Sequence, residues 1–160
     1  MQESNSNLDF VPIKFHVITP KLQDDKKLVP CLKLSLVVDI KTGQVTGLGQ
    51  VYNTERPDVI VISNLQGNWS YQRTSETVNI VLLAKGFGPL FKDNVAQMGN
   101  VENLRVHIHL ANNWRTGVAQ YEFLHEECWT SIDNGIIFVD GQCQAASSEQ
   151  LTKVQRIGSK

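Results

Sequence analysis

The sequence has no Cys-x-x-Cys pair, no glycine-rich phosphate loop and no Gly-x-Ser-x-Gly elbow. The local signatures of thiol redox chemistry, nucleotide binding and hydrolase catalysis are therefore missing. No apolar run approaches the roughly 20 residues that a helix needs to span a bilayer. Charge of one sign is also scarce, with 15 Lys plus Arg set against 16 Asp plus Glu for a net charge of -1. Duplex binding draws much of its affinity from clustered Lys and Arg displacing counterions, and polybasic anchors or acidic tails need one-sided charge. Neither nucleic acid nor membrane is expected as a partner.

Cysteine is equally sparse. Cys31, Cys128 and Cys143 form an odd set without paired spacing, which predicts reduced, buried thiols in a cytoplasmic protein; pairing of Cys128 with Cys143 is the weaker alternative. Met1 to Asn7 (MQESNSN) lacks the basic and apolar regions of a secretory signal, so the sequon Asn68-Trp69-Ser70 reads as a chance match. With 160 residues, 41% of them hydrophobic, the chain is long enough to bury a core of its own as one domain.

What the sequence does contain is period-two alternation from Phe10 to about Asp140, broken by short Gly, Asn, Asp and Ser clusters. That is the pattern of an antiparallel β protein. Leu32, Leu34, Leu36 and Val38 share one face, and the loop Ile40-Lys41-Thr42-Gly43 places Val38 opposite Val45, Leu36 opposite Gly47, Leu34 opposite Gly49 and Leu32 opposite Val51. A four-residue loop Arg73 to Glu76 sets Tyr71 opposite Val78 and Trp69 opposite Ile80. A loop Asn113 to Thr116 sets Leu110 opposite Ala119, Ile108 opposite Tyr121 and Val106 opposite Phe123.

Further strands are predicted at Phe10 to Ile18, Val59 to Ser63, Cys128 to Ile132 and Ile136 to Asp140. Gly86 to Asn100 is the longest irregular stretch, with one helical turn expected around Asn94 to Met98. The expected organisation is a flexible N-terminus over 1–9, an antiparallel β domain over 10–143 and a tail over 144–160 that can form a short amphipathic helix. The fold class is all-β, a single-domain antiparallel sandwich or barrel of about nine to ten short strands in consecutive hairpins. Gly47 and Gly49, two apart on one face, favour the coiling of a barrel.

Candidate chemistry is confined to a few places. Arg105, His107 and His109 fall on one face of a strand, and the hairpin loop above sets Glu122 across from His107 and Gln120 across from His109. Two imidazoles at i and i+2 with a carboxylate are a plausible Zn²⁺ or Fe²⁺ ligand set. However, the carboxylate that follows His-x-His in cupin-like sites is absent from His107-Ile108-His109-Leu110-Ala111-Asn112-Asn113. The plainer reading is a solvated face with an ordinary His107 to Glu122 cross-strand pair, and no cofactor is expected.

Trp114 lies in a hairpin loop beside Arg115, where it can stack on a sugar ring or anchor a partner, or fold back over the end of the core. Gly67-Asn68-Trp69 spells the Gly-x-Trp of lipocalin barrels but begins far along the chain, so Trp69 and Tyr71 read better as core aromatics. His125 and Cys128 are near in sequence but have no oxyanion site, so thiol catalysis is rejected.

Three segments in order resemble a known family. These are Leu34-Ser35-Leu36-Val37-Val38-Asp39 with Thr42-Gly43-Gln44-Val45-Thr46-Gly47, then Gly67-Asn68-Trp69-Ser70-Tyr71, then Asn113-Trp114-Arg115-Thr116-Gly117-Val118-Ala119-Gln120-Tyr121. Over about Cys31 to Val139 the chain resembles a bacterial family catalogued as a domain of unknown function, number 1842 in that series. The resemblance implies a small bacterial β domain and transfers no activity and no catalytic residues. The expected function is a non-catalytic cytoplasmic module that binds a small ligand or a protein, including copies of itself through a strand edge. Its binding candidates are Arg105, His107, His109, Trp114 and Glu122. The alternative is a metal-dependent enzyme built on His107, His109 and Glu122.

Overall fold

A computed structural model of the protein describes residues 9–19, 30–53, 59–92 and 95–139. Among these residues ten strands follow one another: β1 Phe10–Ile18, β2 Pro30–Asp39, β3 Gln44–Asn53, β4 Val59–Arg73, β5 Val78–Gly88, β6 Phe91–Lys92, β7 Val95–Ala96, β8 Val101–Ala111, β9 Gly117–His125 and β10 Cys128–Val139. Eight of them close an antiparallel barrel in the order β1-β10-β9-β8-β5-β4-β3-β2, and β6 with β7 forms a separate small hairpin. Closure is made by β1, which pairs β2 on one side and β10 on the other, Phe15 opposite Val139 and Ile18 opposite Ile136. The barrel sheet is therefore closed through four residue pairs between β1 and β10.

Alternation decides which side chains enter the barrel. Along one hydrogen-bonded row, Leu36, Gly47, Leu65, Gly86, Leu104 and Phe123 face one another in turn. Large and small residues alternate around much of that ring, so the leucines have room to cross the axis. At Gly49 an added Cβ would meet Leu104 Cδ2 at 2.7 Å and Leu65 Cδ1 at 3.0 Å. The space is already taken, and the interior is a packed apolar core with Val17, Leu32, Ile80, Leu82, Ile108 and Ala119 fully buried. This differs from the polar lumen of membrane-spanning barrels. No helix among the described residues is long and apolar enough to cross a membrane.

The first hairpin has the register read from the sequence, Val38 opposite Val45 through Leu32 opposite Val51. Gly43, at φ 74°, turns the chain, and its N–H donates to the Asp39 carbonyl at 3.0 Å. The other two predicted registers are shifted by two. Thr74 N–H donates to Thr77 O, closing a tight turn around Ser75 and Glu76 instead of a loop over 73 to 76, and Tyr71 faces Ile80 while Trp69 faces Leu82. Ala111 N–H donates to Thr116 O, so the loop runs one residue earlier than expected and Leu110 faces Gly117 while Ile108 faces Ala119.

Other expectations are corrected too. Val59 to Ser63 is the start of the 15-residue β4, and the two C-terminal strands are one strand with an irregularity between Ile132 and Gly135. In place of a helical turn around Asn94 to Met98, Val95–Ala96 pairs with Phe91–Lys92 as a β-ladder. Cys31 is buried but Cys128 is exposed. Cys143 and the tail helix lie outside the described residues.

One end of the barrel is closed by aromatics. Trp114 is 1% exposed and packs edge-on against Trp69 with centroids 5.2 Å apart, and Trp69 meets Tyr71 in the same manner at 5.2 Å. The Trp69 indole N–H donates to the Asp39 carbonyl at 3.0 Å, tying this cap to the first hairpin. The loop Trp is thus folded over the core rather than presented to solvent.

Candidate functional site

β8 projects Leu104, Val106, Ile108 and Leu110 inward and Arg105, His107 and His109 outward, because side chains alternate along a strand. Its neighbours β5 and β9 decide what those three outward residues touch. Arg105 lies between Lys85 and Glu122, His107 between Leu83 and Gln120, and His109 between Val81 and Val118. The expected pairing of Glu122 with His107 is therefore replaced by Glu122 with Arg105, and that of Gln120 with His109 by Gln120 with His107. The reason is the loop. Asn113 Oδ1 accepts from Arg115 N–H at 2.9 Å and Thr116 N–H at 3.3 Å, while Trp114 takes a left-handed φ of 62°. Together these close the hairpin one residue early on each strand. The faces are preserved and the partners slide by two.

Arg105 is the most connected of the candidates. Its Nη2 donates to Glu102 Oε2 at 2.8 Å, its Nη1 is 3.8 Å from Glu122 Oε2, and its guanidinium lies 4.2 Å from the ring centre of Trp129. The hydrogen bond from Arg105, opposed by some desolvation and helped by the charges of Arg105 and Lys85, holds the Glu102 carboxyl below its ordinary range. The same bond raises the Arg105 guanidinium. These pairs are partly exposed and add little to stability, but they fix where the guanidinium sits.

His107 and His109 stand side by side with ring centroids 4.5 Å apart and planes inclined by 36°. Desolvation, followed by the neighbouring His109 charge, pushes His107 below its ordinary value, which favours the neutral imidazole at pH 7. Among the described residues no three His, Cys, Asp or Glu side chains come together as a metal ligand set.

These side chains border a groove of about 480 Å³ on the outside of the barrel, across β4, β5, β8, β9 and β10. Its polar walls are Gln66, Asn68, Lys85, Arg105, His107 and Gln120, continued by Glu122, Ser131 and Asp133, and Leu83 adds an apolar patch. Gly67 and Ala84 form part of its floor. Both are small residues on the inward-facing side of the wall, where the larger Val106 and Tyr121 also line the groove. A second depression of about 320 Å³ includes Gly49 in the same way and is rimmed by Lys14, His16, Lys33 and Gln50. There His16 Nε2 is 2.6 Å from the Tyr52 hydroxyl.

Of the five sequence candidates, the structure brings Arg105, His107 and Glu122 to the first groove, leaves His109 beside its rim and buries Trp114 at the end of the barrel. The groove residues that sequence reading missed are Gln66, Asn68, Lys85, Ser131 and Asp133. Their outward facing is legible from alternation, but their neighbourhood depends on β5 pairing with β8 across the β6 and β7 hairpin.

A family model described as Domain of unknown function (DUF1842) matches residues 15–129. The chain belongs to this family. The DUF1842 match runs from within β1 to the start of β10 and so includes the whole of β8, the His107 and His109 pair and most of the groove. No curated protein matches the chain.

Proposed function

We propose that this DUF1842 protein is a non-catalytic binding module that holds an uncharged, hydroxyl-rich small molecule such as a sugar in the outer groove. The observation that carries this reading is the contrast between a filled interior and an outer groove walled by planar polar groups. The carboxamides of Gln66, Asn68 and Gln120 each offer donors and an acceptor, which suits neighbouring hydroxyls. The cations nearby are engaged: Arg105 by Glu102 and Glu122, and Lys85 by Glu102 at 4.0 Å. Such a balanced wall gives a charged ligand no net attraction, while Leu83, 50% exposed, offers an apolar surface for the CH face of a ring.

The test is a saccharide panel read by NMR on ¹⁵N-labelled protein. A binding saccharide should shift the side-chain amides of Gln66, Asn68 and Gln120, and Gln120→Ala should weaken it about tenfold, one hydrogen bond's worth. Hits that perturb only the Lys14 and Lys33 depression, or a panel with no hit at all, would overturn the reading.

Association between copies is a second reading, supported by one observation. Ile18, Ile136 and Val118 lie in one cross-strand row with Phe138 close by, and all four are exposed. Such association would use this exposed apolar face of the barrel wall. Light scattering should then show a dimer that Val118→Glu dissociates; a monomer at high concentration removes the reading.

A further inference from the structure

We infer that His107 and His109 form a two-imidazole site for a Cu²⁺ ion on the outer face of β8. The inference is independent of the saccharide reading. Both side chains leave the same face of one strand, so the backbone fixes the positions of their Cβ atoms and only the rotation of each ring remains to be set.

The spacing lets both rings reach one ion. A ring nitrogen about 2.0 Å from a metal places its ring centre roughly 3.1 Å from the ion, so two rings at a right angle about it have centres about 4.5 Å apart and two rings at a tetrahedral angle about 5.1 Å. The observed separation is 4.5 Å. Rotation of the two rings can therefore bring one nitrogen of each onto a shared ion, and Cu²⁺ leads the affinity order for nitrogen donors. Zn²⁺ in structural sites takes four ligands in a tetrahedron, and no third His, Cys, Asp or Glu joins this pair among the described residues.

The surroundings suit a cation held by neutral ligands. Val81, Leu83, Val118 and Gln120 flank the two rings across the strands. The nearest cation on the same face, Arg105, is bonded to Glu102 at 2.8 Å. His107 also lines the groove, so the remaining coordination positions open toward solvent and toward Gln120. With two protein ligands the ion is held exchangeably.

The experiment uses untagged full-length protein titrated with CuCl₂, followed by calorimetry and by electron paramagnetic resonance. One Cu²⁺ per chain with an axial spectrum and nitrogen coupling is expected, and Zn²⁺ should bind at least tenfold more weakly. His107→Ala and His109→Ala should each lower Cu²⁺ affinity tenfold or more, and His107→Gln should behave like His107→Ala while keeping a polar side chain at the position. Near-UV circular dichroism of each variant separates loss of the site from loss of the fold. Absence of stoichiometric Cu²⁺, or an unchanged spectrum in the folded double alanine variant, would overturn the inference, the latter by placing the ion on His16, His125 or the chain terminus.

Discussion

Replacing Trp114 by alanine is expected to cost about 3 to 5 kcal/mol of folding stability, and replacing it by glycine is expected to cost less. The first expectation follows from burial: Trp114 is 1% exposed and shares an edge-on contact with Trp69. Losing about 3 kcal/mol in a chain of this size lowers Tm by roughly 10 °C. The second follows from the backbone. At φ 62° Trp114 occupies the left-handed region, where an L-residue with a Cβ bears about 1 to 2 kcal/mol that glycine does not. Alanine loses the indole and keeps the strain, whereas glycine loses the indole and relieves it. Elsewhere in a sheet protein glycine is the more damaging substitution, so the inverted order is diagnostic. Urea unfolding of the two variants with a common m-value measures it, and a glycine variant less stable than the alanine one would contradict it. Trp129→Ala is the control. Its ring lies 4.2 Å from the Arg105 guanidinium and is 37% exposed, and its loss should cost about 1 kcal/mol or less.

Legibility of this fold from its sequence divides at the loops. Period-two alternation assigned the inner face of β2 to Leu32, Leu34, Leu36 and Val38 and the outer face of β8 to Arg105, His107 and His109, because parity survives any register shift of two. The register itself was readable only where a residue type marks the turn. Gly43 marks one, and that hairpin is right throughout. The β8 to β9 turn is made by a tryptophan in a left-handed conformation with an Asn113 side chain bracing it, and a tryptophan carries no turn signal. The resulting slide separated Glu122 from His107 and joined it to Arg105, which reassigns the chemistry of the face. Sandwich and barrel were indistinguishable for a different reason: both bury alternate residues, and the contact that decides, Ile18 with Ile136, joins the two ends of the chain.

The core and the outer grooves share residues. Both grooves include inward-facing residues with little or no side chain, Gly67 and Ala84 in one and Gly49 in the other, beside the larger Val106 and Tyr121 in the first and Phe15 and Leu34 in the second. Gly67, which lets β4 and β5 approach closely beside Ala84, is thus also part of the lining of the polar hollow beside Arg105 and His107.

Gly67→Ala tests that coupling and should cost about 3 kcal/mol or more. An added Cβ would lie 1.8 Å from the Leu83 carbonyl oxygen and 2.6 Å from Ala84 Cα. Both are backbone atoms of β5, so no rotamer change relieves the contact; β4 and β5 must move apart beside the paired Gly67 and Ala84. Gly49→Ala meets only the side-chain tips of Leu104, Leu65 and Leu34, which can turn, and should cost about 1 kcal/mol. Chemical denaturation ranks the two, and equal costs would refute the backbone-contact account. The site should respond in the same order. Parting β4 from β5 moves Gln66 and Asn68 away from Lys85 and Leu83, so the surviving folded fraction of Gly67→Ala should lose the saccharide response at Gln66 and Asn68, while Gly49→Ala should keep it. Retention of that response in Gly67→Ala would show that the groove does not depend on the close approach of β4 and β5 at this residue.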